Sequence, residues 1–95
     1  MNSPTPHTAL ITGATAGFGR AAARQFIAAG WQVIATGRRA DRLAELQAEL
    51  GENLHTACFD MRDDAAMRAA LDALPERFAG IDLLLNNAGL AQGTK

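Results

Sequence analysis

The sequence predicts an α/β fold, the first half of a doubly wound parallel sheet laid out as βαβαβαβ with strand order 3-2-1-4. Three observations predict it. Short apolar runs alternate with amphipathic segments of helical period, with no linker between them. A glycine-rich turn joins the first apolar run to the first helical segment, and further glycines stand where helices should stop. Right-handed crossovers then place the first two helices on one face and the third on the other, which fixes the strand order.

Residues 1–7 lack the basic and apolar blocks of a signal peptide and read as a flexible N-terminal tail, leaving residues 8–95 as one structured unit. The run from Thr8 to Thr12 is apolar and followed by glycine, as a buried strand would be. From Phe18 to Ala29 the period turns helical: Ala22, Phe26 and Ile27 share a face, while Arg20, Arg24 and Gln25 face solvent. Gly30 supplies the stop. Trp31 to Thr36 reads as the second strand, with Trp31 placed for packing.

Asp41 to Leu50 is the second helix, with Leu43, Leu46 and Leu50 on one side, acidic residues on a solvated face, and Gly51 as its end. Leu54 to Phe59 is a third, weaker strand. Asp63 is the expected N-cap of a third helix whose apolar set is Met67, Ala70, Leu71, Leu74 and Phe78. Pro75 should end or kink that helix. Ile81 to Asn86 is the fourth strand, opening onto Asn87-Ala88-Gly89.

Composition bounds the function. Ninety-five residues make one domain at most, burying roughly 60–65% of the surface of the unfolded chain. Hydrophobic residues at 48% are too many for a disordered chain, and a net charge of −1 offers no broad attraction to nucleic acid or a membrane surface. No apolar run approaches the ~20 residues of a membrane span. Cys58, the single cysteine, has no disulfide partner within the chain and lies in an apolar run, so it reads as a buried inert thiol that fits a reducing cytoplasm. His7 and His55 have no partner spacing for metal binding or catalysis, and no metal site is expected.

The turn after the first strand is Thr12-Gly13-Ala14-Thr15-Ala16-Gly17-Phe18-Gly19. Glycines at this spacing let a backbone turn sharply and approach a pyrophosphate, while the following helix presents unpaired N–H groups. In a dinucleotide fold an acid about 20 residues further on accepts from the ribose 2′-hydroxyl. Counting from Gly17 reaches Gly37, with Arg38 and Arg39 directly after it. Two guanidinium groups suit a 2′-phosphate, so the cofactor predicted is NADP(H). The alternative is a pair of solvated arginines opening a surface helix that Arg42 continues. Asp60 follows the third strand at the ligand-binding edge of such a sheet; from the residues alone it serves equally as a turn residue beside Arg62.

The glycine turn, taken with Asn86-Asn87-Ala88-Gly89 after the fourth strand, resembles the short-chain dehydrogenase/reductase family over essentially everything from Thr8 to Gly93. The resemblance implies a Rossmann-type fold in which the backbone of Gly13, Ala14, Thr15, Ala16, Gly17 and Phe18 lines the pyrophosphate and adenosine ribose. It implies that Gly19 permits close helix packing, that Asp60 accepts from the adenine amino group with the Met61 backbone beside it, and that Asn87 lies near the riboses. Asn86 would tie strand ends together.

Within the family, Ile34-Ala35-Thr36-Gly37-Arg38-Arg39, Phe18 in the glycine turn and Leu84 to Ala91 resemble bacterial NADP-dependent 3-hydroxy acid dehydrogenases acting on serine and L-allo-threonine. Such enzymes imply a small-molecule substrate, a cytoplasmic setting and a homotetrameric parent. The family's catalytic Ser and Tyr-x-x-x-Lys follow the Asn-Asn-Ala-Gly motif, and this sequence contains no tyrosine. No residue here is expected to be catalytic. The sequence therefore reads as the cofactor-binding N-terminal part of an oxidoreductase of roughly 250 residues in family terms, inactive alone and marginally stable through an unpaired fourth strand. A non-catalytic NADP(H)-binding module and an inert gene fragment are the competing readings.

Overall fold

The structure is a computed structural model that describes residues 6–15 and 17–87. Four strands, β1 (Thr8–Thr12), β2 (Gln32–Gly37), β3 (Leu54–Cys58) and β4 (Leu83–Asn86), alternate with helices α1 (Gly17–Ala28), α2 (Ala40–Leu50) and α3 (Asp64–Asp72). The strands form one sheet in the order β3-β2-β1-β4, all neighbours parallel. The predicted half of a doubly wound sheet is what the chain builds, with element ends shifted by one or two residues. Residues 1–5 of the tail expected over residues 1–7, Ala16, and everything from Ala88 onward lie outside the described residues. His7, assigned to that tail by sequence, accepts from the Gln32 N–H at 2.8 Å and sets its ring 4.9 Å from that of Trp31.

Strand alternation sorts the apolar residues to two faces. Ile11, Val33 and Ala35 point towards α1 and α2, where Ala23, Leu43, Leu46 and Leu54 close a buried cluster. Leu10 and Ile34 point the other way and meet Phe78 and Leu74. The first two helices thus share one face and the third lies on the other. Gly19 and Ala23 are the buried residues of α1, small enough for the helix to lie close on the sheet. Arg20 and Arg24 on α1 both pair with Glu49 on α2, so these predicted solvent-facing groups brace the two helices.

Asp63 caps α3 as expected, its carboxylate accepting from the Ala66 N–H at 3.0 Å. The rest of the predicted apolar face is revised. The helix ends at Asp72, and Pro75 opens a separate 3₁₀ turn, Glu76–Phe78, that carries Phe78 down onto the sheet. Phe78 is 3% exposed, whereas α3 itself contributes no fully buried residue and Leu71 is exposed. Between α3 and the sheet remains a cavity of about 270 Å³ lined by Leu10, Thr36, Met61, Met67, Leu74 and Leu84 among others.

Cys58 is a second correction: it is exposed. It ends β3, which among the described residues pairs only with β2, and the groove it shares with Ala40 and Ala44 of α2 is open to solvent. An apolar run signals burial only where both flanks of its strand are covered, and an edge strand lacks one.

β4 is held to β1 at both ends. Asp82 accepts from the Thr8 N–H at 2.9 Å and its own N–H donates to the Thr8 carbonyl at 2.8 Å. At the far end the Thr12 hydroxyl donates to Asn86 Oδ1 at 2.9 Å. Asn86 therefore ties strand ends together as predicted. Leu83 and Leu84 on the same strand are 40% and 58% exposed.

Candidate cofactor site

Because every strand is parallel, all four carboxyl ends reach one edge of the sheet, and β1 lies where the chain switches from the β2 side to the β4 side. That is where ligands bind in open sheets of this kind. The turn after β1, Arg38 and Arg39 after β2, Asp60 and Met61 after β3, and Asn87 after β4 all stand on this edge.

The glycine turn is seated from below and from the side. Ala14 is fully buried and its N–H donates to the Thr36 carbonyl at 3.0 Å, so this amide fastens the turn to β2. Gly13 and Gly17 have φ of 63° and 57°, a region that residues with a Cβ rarely adopt. α1 starts at Gly17, so its first-turn amides have no partner within the helix and face the edge. Phe18 is 63% exposed there.

Gly19 shows why the turn fits so closely to the helix. A Cβ at this position would run into the Gly13 carbonyl oxygen and lie 2.8 Å from Asn87 Nδ2 and 3.1 Å from Ala14 Cα. Asn87 in turn donates to the Gly13 carbonyl at 3.0 Å, fastening the end of β4 to the turn. Its amide nitrogen is thus occupied in positioning the loop, a role that sequence alone left unstated.

At the end of β2, Gly37 is buried under Thr15, whose Cγ2 would lie 3.1 Å from a Cβ placed there. The position where a carboxylate would be counted is filled by the glycine turn itself. Arg38 and Arg39 are exposed just beyond it. Arg39 lies 3.6 Å from Asp41, while Arg38 makes no ion pair among the described residues. Positive charge therefore sits on the edge beside the glycine turn, with Arg38 the less compensated of the two.

Asp60 stands across from Arg38 and is gripped by Arg62. Its Oδ1 accepts from the Arg62 N–H at 2.9 Å and from Nε at 3.2 Å, and its Oδ2 accepts from Nη2 at 2.9 Å. These hydrogen bonds, aided by the Arg62 and Arg38 charges, hold the Asp60 carboxyl down to about 2. Met61 turns its side chain inward, its sulfur 4.0 Å from the Thr36 hydroxyl. Sequence reasoning set Arg62 beside Asp60 without giving it a role; the Asp-x-Arg spacing is its signal.

These features match the plan of a dinucleotide cradle: backbone turned inward by glycine, a helix N-terminus facing it, and exposed cations and a carboxylate on the same edge of the sheet. The short chain dehydrogenase pattern matches residues 7–95. The chain belongs to the short-chain dehydrogenase family. It is 60% identical over 87 residues to serine 3-dehydrogenase of Agrobacterium fabrum, covering 92% of this chain and 35% of that protein. It is 56% identical over 84 residues to the NADP-dependent 3-hydroxy acid dehydrogenase of Escherichia coli (strain K12), covering 88% of this chain and 34% of that one. A solved closed form of serine dehydrogenase complexed with NADP+ superimposes with a TM-score of 0.80 at 52% identity, covering 81% of this chain and 31% of that structure. The chain thus spans about a third of the length of the curated relatives it matches.

Proposed function

We propose that this chain is the NADP(H)-binding part of an oxidoreductase that moves hydride between the nicotinamide and the hydroxyl or carbonyl carbon of a small substrate, a 3-hydroxy acid such as serine or L-allo-threonine. The observation that carries the cofactor assignment is the end of β2, where Gly37 is packed under Thr15 and the exposed Arg38 and Arg39 follow. A carboxylate at that point would repel a 2′-phosphate; guanidinium groups attract one through charge-assisted bonds. The bound dinucleotide would supply the hydride. The chain's own residues bind and orient it: Gly13, Ala14, Thr15, Ala16, Gly17 and Phe18 around the pyrophosphate and adenosine ribose, Gly19 letting the helix pack close, Asp60 and Met61 at the base, Asn87 near the riboses.

The same reading assigns no catalytic residue to these 95 positions, since the family's Ser and Tyr-x-x-x-Lys are not among them. The substrate class rests on similarity to enzymes of which this chain covers about a third; the homotetrameric parent and the cytoplasmic setting are proposed from the family resemblance alone.

Titration of NADPH and NADH tests the reading, followed by nicotinamide fluorescence, because Trp31 packs at a tilt against Phe26 and His7 at the opposite end of the sheet. NADPH is expected to bind roughly one to two decades more tightly than NADH, from about 1.5–3 kcal/mol per charge-assisted bond. Arg38→Ala with Arg39→Ala should erase that preference, and Arg38→Ala alone should remove most of it. Equal affinity of the parent chain for the two cofactors would overturn the assignment.

A further inference from the structure

We infer that Arg62 is a positioning residue for adenine, holding the Asp60 carboxylate so that one acceptor site is left open, the match for a single exocyclic N–H donor. The inference rests on the dinucleotide reading above. A carboxylate offers about four lone-pair sites. Arg62 takes three of them, with its backbone N–H and Nε on Oδ1 and its Nη2 on Oδ2. The remaining site is on Oδ2, and no other hydrogen bond to it occurs among the described residues.

The grip also fixes direction. A planar guanidinium bound side-on through two nitrogens sets the plane of the carboxylate, which a single point charge cannot do. The backbone beneath is pinned on both sides: the Phe59 N–H donates to the Gly37 carbonyl at 2.8 Å before it, and the Asp63 N–H donates to the Asp60 carbonyl at 2.8 Å after it. Arg62 holds from the solvent side, 72% exposed against 36% for Asp60. Exposed pairs of this kind add little to stability, so orientation is the effect that removing Arg62 should expose. Hypoxanthine carries a carbonyl acceptor where adenine carries its amino group, so it reads the open site with the opposite polarity.

The test compares binding of NADPH with that of reduced nicotinamide hypoxanthine dinucleotide phosphate, by nicotinamide fluorescence, in the full chain and in Arg62→Ala and Arg62→Lys. The parent is expected to favour adenine by about tenfold or more, the worth of one hydrogen bond to a charged acceptor. Arg62→Ala should cut that ratio to about twofold, and Arg62→Lys, which keeps the charge without the fork, should fall between the two. An unchanged ratio in Arg62→Ala, even with both ligands weakened equally, would overturn the inference. So would a parent that prefers NADPH to NADH yet ignores the base. A parent that binds neither phosphate-bearing dinucleotide overturns the underlying reading as well.

Discussion

On the face of the sheet covered by α1 and α2, Ile11, Val33, Leu43 and Leu46 are all at most 2% exposed and interlock with Ala23 and Leu54. On the face covered by α3, burial rests on Leu10, Ile34 and Phe78, and the helix stands off from a cavity of about 270 Å³. The two faces come from the same strands, so the difference lies in what covers them. α1 presents glycine and alanine and approaches closely; α3 offers Met67 and Ala70, with Leu74 in the turn after it, and these only partly reach the sheet. Cohesion is therefore concentrated on one face, and substitutions of equal size should have unequal effects on the two.

The sharpest way to break this comparison is to truncate one leucine on each side. Leu46→Ala removes a side chain that is 1% exposed and should cost about 2–5 kcal/mol. Leu71→Ala, on an exposed side chain, should cost under about 1 kcal/mol. Urea-unfolding midpoints measure both, and similar losses would show that α3 carries as much of the fold as α1 and α2 do.

A smaller effect is expected where the first face meets the glycine turn. Gly19→Ala places a Cβ against the Gly13 carbonyl and the Asn87 amide, both of which must give way. The cost should be about 1–3 kcal/mol, the usual range for overpacking. NADPH affinity should fall further than stability does, because the displaced atoms shape the phosphate turn. Calorimetric titration beside a thermal melt separates the two losses; an affinity matching the parent's would detach this contact from the site.

The smallest expected effect lies beyond the end of β3. Asp60 has a folded-state pKa of about 2 against an ordinary 3.8. A depressed carboxyl favours the folded state above its unfolded pKa, and that contribution is lost as pH falls from about 4 through about 2. The group is exposed, so the signature to seek is its titration and not a shift in melting. Carboxyl-carbon NMR should give a midpoint near 2 in the parent and one returning towards 3.8 in Arg62→Ala. A parent midpoint already near 3.8 would mean that the fork does not hold in solution.

Much of this architecture was legible from hydropathy period and glycine placement. Both report local geometry: how often an apolar side chain recurs, and where the backbone must turn. They therefore placed all four strands, the Asp63 cap and the glycine turn close to where these stand. The misses share a different origin. Cys58 looked buried because its neighbours are apolar, yet burial depends on the edge position that β3 takes after folding. Phe78 kept helical spacing with Leu71 and Leu74, but Pro75 broke the helix and sent the ring to the sheet by a separate turn. The Arg20–Arg24–Glu49 brace joins residues 25 or more positions apart, which no local period encodes. At the edge after β3, the residues alone left Asp60 open between a ligand and a turn role, and the direction of its carboxylate is set by a neighbour two residues on.

The ties between β1 and β4 have a consequence of another kind. Thr8 to Asp82, Thr12 to Asn86 and Gly13 to Asn87 are three hydrogen bonds with the same sequence offset, 74 residues. A parallel pair in register keeps a constant offset along its length, so the three bonds act as alignment marks at both ends of a four-residue strand. Apolar burial helps choose the alignment of β4 mainly through Leu85, which packs against the larger core cluster, since Leu83 and Leu84 are exposed. A slip of one residue would mismatch all three marks at once and pull Asn87 off the glycine turn. The polar residues that bracket this strand thus act as its ruler, and the depth of the phosphate turn is measured from the same scale.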